Sequence, residues 1–260
     1  MCSPQSKKIV IVGAGNVASH LLRAFRNTGA RCCIWARDPR KAAAIAGGAE
    51  VCVAAADIPR DADFYIVAVR DDAVADVVRA LGAVDGIVAH TSGSVPVDAA
   101  RAGGAAHAGV FYPLQTFSTN RSLDIAGAPF FIEATDEATA AALGALARSI
   151  GATDYRADSS NRAVLHLAAV VACNFANALW GEAQKILETA GYSINVFAPL
   201  LRETLDKAMT IGPVQAQTGP AARNDTEVIK RQLQSLDNPM MKQLYSGLTD
   251  LIKYQQQNKL

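Results

Sequence analysis

Short apolar runs alternate with helical patterns along residues 1–157. Runs that suit buried strands lie at 9–12, 31–36, 64–69, 86–89 and 107–112. Such runs are typical of parallel strands that helices cover on both faces. Two peripheral strands are predicted at 130–133 and 153–156. The chain is therefore predicted to begin with an α/β fold, a Rossmann-type doubly wound and mostly parallel sheet.

From residue 158 onward the strand pattern stops. Helical patterns lie at 161–190, 196–210, 226–235 and 239–256, separated by turns that contain glycine or proline. We predict a Rossmann domain over 1–157 and an all-helical domain over 158–260. The most apolar run, 163–180, is interrupted by His166, Asn174 and Asn177. It is therefore predicted to be a buried helix and not a membrane span.

A glycine turn follows the first apolar run at once. Gly13, Gly15 and Ala18 have the spacing G-x-G-x-x-A, in which the first glycine permits the turn and the second lets a pyrophosphate approach the backbone. The helix that follows offers free N–H groups and the positive end of its dipole to an anion. An ordinary strand-turn-helix is the alternative, but a complete β-α-β unit favours a dinucleotide. We expect Gly13, Gly15, Asn16 and Val17 to hold its pyrophosphate.

The end of the second strand indicates which dinucleotide binds. An NAD site usually has an acidic residue about twenty residues beyond the glycines, where it accepts the ribose hydroxyls. Here that window contains Trp35, Ala36 and Arg37. We therefore predict NADP, with Arg37 on the 2′-phosphate and Arg40 and Lys41 as further cations. The alternative is that Asp38 caps the next helix and the basic residues are solvated, and the two interpretations are compatible.

Two further strands deliver residues to the carboxyl edge of the sheet, where ligands bind. Val69 ends the run 64–69 and is expected to lie over the cofactor. The segment 70–72 that follows is expected either to lie there too or only to start the next helix. His90 begins the loop 90–94, whose hydroxyls and amides suit a carboxylate or a polarised carbonyl. Ser92 is predicted to border the nicotinamide and the substrate, unless the loop is a simple Ser/Gly turn. His90 is a candidate proton donor or a hydrogen-bonded structural group.

A row of polar residues marks the first helix of the second domain. At about 100° per residue, Arg162, His166, Cys173 and Asn177 fall close to one line, with Asn174 on its flank. Buried polar groups need partners, so the row indicates an interhelical hydrogen-bond network or a ligand face. In the second case, His166 is a candidate proton donor and Asn174 orients the substrate.

The segment 218–225 also has two interpretations. In the simpler interpretation, Asp225 caps the helix that follows. In the other interpretation, Arg223 binds an anionic substrate. The sequence leaves both open.

Composition limits the class of partner. The net charge of the 260 residues is +1, so no global field indicates a nucleic acid or a membrane, and we expect a small-molecule substrate. Five cysteines without a C-x-x-C pair are interpreted as small core residues in a reducing compartment. Four histidines without metal-ligand spacing predict no metal site. The chain shows no cationic leader with an apolar segment, and a cytoplasmic location is expected.

Five blocks in this order carry a resemblance over nearly the whole chain: GAGNVA, HTSGS, VFYPLQTFS, HLAAVVACNF and TGPAARND. The chain resembles the Rossmann-like NADP oxidoreductases whose C-terminal helical domain has no assigned function, within the 6-phosphogluconate dehydrogenase and pyrroline-5-carboxylate reductase-like superfamily. The resemblance implies pairing through the helical domains. Hydroxyacid dehydrogenases of the superfamily place a catalytic lysine four residues before an asparagine. Here Asn174 matches the asparagine, but Val170 stands at the lysine position.

The sequence thus predicts an NADP(H)-dependent oxidoreductase that transfers hydride to or from a small polar carbonyl, imine or alcohol. The missing lysine motivates an alternative, a non-catalytic NADP(H)-binding sensor or regulatory protein. In the first hypothesis, His166 or His90 donates the proton that accompanies hydride transfer.

Overall fold

The computed structural model describes residues 6–118 and 121–258. The chain divides into two compact units, Met1–Ala176 and Asn177–Leu260. The domain boundary predicted between residues 157 and 158 lies one helix before this division, and it stays a prediction.

The first unit contains an eight-stranded sheet with the order β3-β2-β1-β4-β5-β6-β7-β8. All neighbouring strands are parallel except β6 and β7. Because the strand order reverses on either side of β1, the carboxyl end of β1 is a switch point at which such sheets bind ligands. The predicted Rossmann-type fold is confirmed. The strands are β1 (Lys8–Val12), β2 (Arg31–Trp35), β3 (Glu50–Cys52), β4 (Phe64–Val67), β5 (Ile87–His90), β6 (Ala108–Pro113), β7 (Pro129–Ala134) and β8 (Thr153–Arg156).

Helices cover both faces of this sheet, as the continuous apolar strands predict. The helices of the first unit are α1 (Asn16–Asn27), α2 (Pro39–Ala46), α3 (Val74–Leu81), α4 (Asp98–Ala102), α5 (Glu137–Ser149) and α6 (Ser159–Ala169). Ile9 and Ile11 of β1 pack in one core with α1, α2 and α5. Val10 and Val12 point the other way, into a core with α3 and α4. The alternation follows from the two-residue period of a strand.

The described residues of the second unit form helices joined by turns, with no strand among them. It contains α7, which begins at the preceding residue (Ala176–Glu188), α8 (Ala198–Ile211), α9 (Pro213–Ala216), α10 (Thr226–Ser235) and α11 (Pro239–Gln257). Asp225 caps α10 by accepting a hydrogen bond from Val228 N at 3.2 Å, as its capping interpretation predicts. The short helix α9 was not predicted, because Gly212 and Pro213 also suit a turn.

The apolar helix is exposed in the single chain. Residues 159–188 are helical, and the turn Val170–Phe175 between α6 and α7 is π-helical. Leu167 and Val171 are 64% and 55% exposed, so the prediction of a buried helix over 163–180 is wrong at the level of one chain. The sequence pattern indicates that an apolar surface needs a cover, but not which chain supplies it.

The same segment has a second property. Ser159–Glu188, 30 residues with a hydropathy of 1.6, is long and apolar enough to cross a membrane by length and composition alone. It is the one such helix in the described part of the chain. Core helices of soluble proteins also meet these criteria.

The cysteines occupy different surroundings. Cys33 and Cys52 are buried on neighbouring strands, with 3.7 Å between their Sγ atoms, and burial raises the pKa of both thiols. Cys32 is partly buried, whereas Cys173 is exposed. The expectation of a core position is therefore wrong for Cys173, and Cys2 lies outside the described residues.

Candidate functional site

The two glycines of the turn after β1 have different surroundings. Gly13 has φ +122°, and a Cβ atom there would lie 2.1 Å from the carbonyl oxygen of Ala68. Gly15 is the N-cap of α1 with φ −90°, and a Cβ atom there would meet no atom within 4 Å. Only glycine therefore fits at position 13. Position 15 leaves the N-terminus of α1 open to a ligand, as a dinucleotide turn requires.

A cavity of about 500 Å³ lies over this turn and extends to the end of β2. It is lined by Gly13, Gly15, Asn16, Val17, Arg37 and Val69. Of the other residues predicted at the cofactor, Lys41 also lines this cavity, Ser92 lines an adjoining one, and Arg40 lines neither. Their convergence fits an extended ligand whose anionic part lies at the N-terminus of α1.

Two cations stand at the far end of this cavity. Arg37 and Lys41 both line it, and Arg37 makes no ion pair with any residue in the described ranges. Asp38 caps α2 by accepting a hydrogen bond from Arg40 N at 3.0 Å. The side chain of Arg40 is 97% exposed and is not part of the cavity wall. Capping by Asp38 thus coexists with a cationic end of the cavity, formed by Arg37 and Lys41 without Arg40.

A second cavity, of about 470 Å³, adjoins the first and shares Val17, Val69 and Thr91 with it. Three segments supply most of its wall: residues 91–93, residues 112–117, and the stretch from His166 to Asn174. The structure thereby brings together Ser92, His166 and Asn174, as the sequence predicts. Asn174 and Cys173 lie on the π-helical turn, a local geometry that often occurs at functional sites.

One face of α1 holds the segment that follows β6. Asn16, His20 and Arg23 are spaced by four and three residues, so they lie on the same side of the helix. Each bonds to this segment: Asn16 Nδ2 to Phe117 O (3.0 Å), His20 Nε2 to Arg121 O (2.9 Å) and Arg23 Nη1 to Ser122 Oγ (2.6 Å). Gln115 and Thr116 of the same segment line the second cavity. The helix at the cofactor turn therefore also supports a wall of the second cavity.

Tyr112 and His166 form a close pair in this wall. The hydroxyl oxygen of Tyr112 lies 3.1 Å from Nδ1 of His166, and burial raises the pKa of the phenol. A Cβ atom on Gly93 would lie 2.7 Å from Cζ of Tyr112 and 2.8 Å from Nδ1 of His166. The absence of a side chain at position 93 therefore allows this arrangement. Tyr112 is not among the residues predicted for the site, because in the sequence it is recognisable only as an aromatic residue at the end of a strand.

Ser92 has a structural contact as well as a place in the cavity. Its hydroxyl oxygen accepts hydrogen bonds from Ser94 N (3.1 Å) and Val95 N (3.0 Å). The Ser/Gly turn of the alternative interpretation is thus present. Ser92 also lines the second cavity, so the turn is compatible with the predicted place beside the nicotinamide, which stays a prediction.

His90 lies in the interior. Its side chain is fully buried and lines neither cavity. Nδ1 accepts a hydrogen bond from Ser92 N, and Nε2 donates to Pro96 O, both at 3.3 Å. Burial, with the positive charge of Arg162, lowers the pKa of His90 to about 4. These contacts fit the structural interpretation of His90 and do not support the expected role as a proton donor.

Arg162 fastens α6 to the sheet. Its guanidinium is fully buried, forms an ion pair with Glu133 of β7 and donates a hydrogen bond to Val95 O. His166 lies one turn further along the same helix. Of the predicted polar row, His166 and Cys173 line the second cavity. Arg162 instead holds their helix against the sheet.

Two parts of the chain match models of known protein families. Residues 8–92 match the family model described as "NADP oxidoreductase coenzyme F420-dependent", and residues 128–252 match "Domain of unknown function (DUF2520)". Curated proteins gave no significant match.

Solved structures are similar over nearly the whole chain. One is the "putative NADP oxidoreductase BF3122" from Bacteroides fragilis, with 37% identity over 96% of this chain and 98% of that chain and a TM-score of 0.89. An imine reductase from Pseudomonas sp. has 18% identity over 96% and 93% of the two chains (TM-score 0.68). An imine reductase from Myxococcus stipitatus, solved with NADP+, has 18% identity over 95% and 92% (TM-score 0.61). The last two show similarity of fold.

Proposed function

Because this chain belongs to the NADP oxidoreductases whose C-terminal part matches the domain of unknown function DUF2520, we propose that it is an NADP(H)-dependent reductase of a small polar carbonyl or imine. The observation that carries the proposal is the continuous cleft. Its first cavity combines an open glycine turn with a cationic end. Its second cavity presents Ser92, His166 and Asn174 beside the first.

The residues of the first cavity suit NADP. The open position over Gly15 and the N–H groups at the start of α1 accept a pyrophosphate, and Arg37 with Lys41 matches a 2′-phosphate. Val69 lies where the two cavities meet. When bound, NADPH supplies the hydride, and the protein provides orientation and a proton. The Myxococcus stipitatus relative was solved with NADP+, which supports this choice over the coenzyme F420 in the family description.

The second cavity supplies the polar groups of the reaction. Asn174 is proposed to orient the substrate, and Ser92 to border its reacting atom. His166 is proposed to bring the proton, because it lines the cavity and an imidazole ring can donate a proton from one nitrogen and accept one at the other. Val170 also lines the cavity, so the wall carries no ionisable group at the position of the hydroxyacid dehydrogenase lysine.

The charge of the second cavity favours one class of substrate. Among the described residues of its wall, Asp71 is the one carboxylate, and neither lysine nor arginine is present. A keto acid would place its carboxylate near Asp71, and no lysine or arginine of this wall would offset the repulsion. We therefore propose a neutral ketone, or an imine in its neutral or protonated form. The relatives named imine reductases support the second group.

We further propose that the chain forms a homodimer through its predicted helical domain, residues 158–260. Large apolar side chains of this part are exposed, including Leu200, Leu205, Met209, Met240, Leu251 and Tyr254. Apolar surface of this extent marks an interaction site in a soluble protein. A second copy is the proposed cover, and a cytoplasmic location stays a prediction.

The experiment combines cofactors with substrate classes. The protein is mixed with NADPH, NADH or reduced F420 and with a neutral ketone, a cyclic imine or a keto acid, and cofactor oxidation is followed by absorbance. Turnover with NADPH and a ketone or imine is expected. NADPH binding without any turnover, together with a change of oligomeric state, would instead support the sensor hypothesis.

A further inference from the structure

The pairing of a phenol with an imidazole has a consequence for proton transfer. Tyr112 stands at the end of β6, is 8% exposed and lines the second cavity with His166. His166 is only partly buried, so its ring can exchange protons with water. A phenol on the sheet and a more exposed imidazole thus line the same cavity, with 3.1 Å between the hydroxyl oxygen and Nδ1.

Resting on the reductase function proposed above, we infer that Tyr112 is a further catalytic residue: its hydroxyl gives the proton to the substrate, and His166 restores it. The Tyr112 O–H bond breaks as the π electrons of the substrate's C=O or C=N form a new O–H or N–H bond. The carbon receives hydride and its electron pair from NADPH, which is oxidised to NADP+. The phenolate then takes the proton from Nδ1 of the His166 imidazolium, and the neutral imidazole recovers one from water.

The surroundings of the pair fit this order of transfer. An imidazolium beside the phenol stabilises the phenolate as it forms, because opposite charges attract strongly in a cavity of low dielectric constant. Burial raises the pKa of Tyr112 and keeps the phenol protonated at neutral pH, while Arg162 lowers this pKa and Asp71 raises it. Both rings occupy the space that a side chain at position 93 would need.

The test replaces only the hydroxyl. Tyr112→Phe keeps the ring and its packing, and Tyr155→Phe, at a 50% exposed tyrosine of β8, is the matched control. Tyr112→Phe is expected to lower kcat about 100-fold with an unchanged Kd for NADPH, and Tyr155→Phe to change neither. Adding His166→Ala to Tyr112→Phe is expected to cause little further loss, because residues that act as a unit are not additive.

A second readout does not depend on turnover. The NMR chemical shift of His166 Nδ1 is expected to change in Tyr112→Phe, which removes the hydroxyl that lies 3.1 Å from it, and to stay in place in Tyr155→Phe. The inference is overturned if Tyr112→Phe keeps kcat within about threefold of the unmodified protein, or if this chemical shift is the same in both variants. Absence of turnover in the unmodified protein would overturn the proposed function and this inference with it. Turnover that survives Tyr112→Phe overturns the inference alone.

Discussion

Gly13 lies so close to Ala68 that a Cβ atom at position 13 would come within 2.1 Å of the Ala68 carbonyl oxygen. Gly15, two residues further, faces open space. The two glycines of one motif therefore have different duties. The first allows the turn to pack against the residue that follows β4, and the second keeps the N-terminus of α1 accessible.

Gly15→Ala is expected to weaken NADPH binding without weakening the fold. The new methyl group would occupy the space proposed for the pyrophosphate, and we expect Kd to rise at least tenfold, about 1.4 kcal/mol. Gly13→Ala is expected instead to lower the free energy of unfolding by about 1–3 kcal/mol, through overpacking and a positive φ. Fluorescence titration and urea unfolding of both variants check this. Equal loss of stability in the two variants would contradict it.

Arg37→Ala is expected to reduce the affinity for NADPH but not for NADH. Loss of a charged hydrogen bond to the 2′-phosphate amounts to about 1.5–3 kcal/mol, or roughly a tenfold to hundredfold rise in Kd. Arg40→Ala is the control, because Arg40 lies outside the cavity and its side chain is 97% exposed. Titration of each variant with both nucleotides is the measurement. An equal effect of the two substitutions would argue against the placement of the 2′-phosphate.

Gly93→Ala is expected to slow turnover while NADPH binding persists. The methyl group would displace Tyr112 and His166, which lie 2.7 and 2.8 Å from its position. Misplacement of reacting groups by about 1 Å can reduce the rate roughly 100-fold. Gly247→Ala on α11 is the control, since a Cβ atom there meets no atom within 4 Å. Steady-state kinetics decide, and a normal kcat in Gly93→Ala would show that the pair is not needed in this arrangement.

His90 is expected to make the fold less stable in mild acid. Burial, and then Arg162, lowers its pKa from 6.5 to about 4. Between these values the unfolded chain binds a proton that the folded chain does not. The free energy of unfolding should therefore decrease as pH falls from about 6.5 to about 4, by up to about 3 kcal/mol from this group.

Urea unfolding at several pH values measures this decrease, and His90→Gln should make it shallower. Asp61 and Asp136, whose pKa values are lowered, act at lower pH and remain in both proteins. NMR of the intact protein provides an independent check, because His90 should stay neutral at about pH 5. A protonated His90 at that pH would contradict the prediction.

Leu167→Glu is expected to convert the proposed dimer into a monomer. Leu167 is 64% exposed on α6, and a carboxylate there would have to be desolvated in an apolar interface. Val53→Glu is the matched control, because Val53 is 67% exposed but lies after β3. Sedimentation of the three proteins is the measurement. A monomeric unmodified protein would contradict the proposed pairing.

Local signals explain which parts of the fold the sequence predicts well. The start of α2 matches the prediction because Asp38 caps it and Pro39 occupies its first position, both strong signals of a helix start. The antiparallel pairing of β6 with β7 was not predicted, because strand direction depends on contacts between distant residues. The exposure of Leu167 was missed for a related reason, since periodicity cannot identify the surface that covers an apolar face.

In the candidate site, too, local signals were recognised and contacts between distant residues were not. The glycine turn and Arg37 are recognisable because their chemistry depends on spacing within one β-α-β unit. Tyr112 has no such signal, because an aromatic residue in a buried strand is typical of a core. The sequence makes both His90 and His166 candidate proton donors. Only the three-dimensional structure shows that His90 is buried in the interior and that His166 lines the second cavity.

The three bonds from α1 to the segment after β6 bear on the entropy of binding. All three join atoms of the protein to one another, and they hold the chain at Phe117, Arg121 and Ser122. The wall that carries Gln115 and Thr116 is therefore preorganised during folding. A ligand entering the cleft does not have to order that wall, so its affinity is not reduced by the loss of conformational freedom that closing a mobile lid would require.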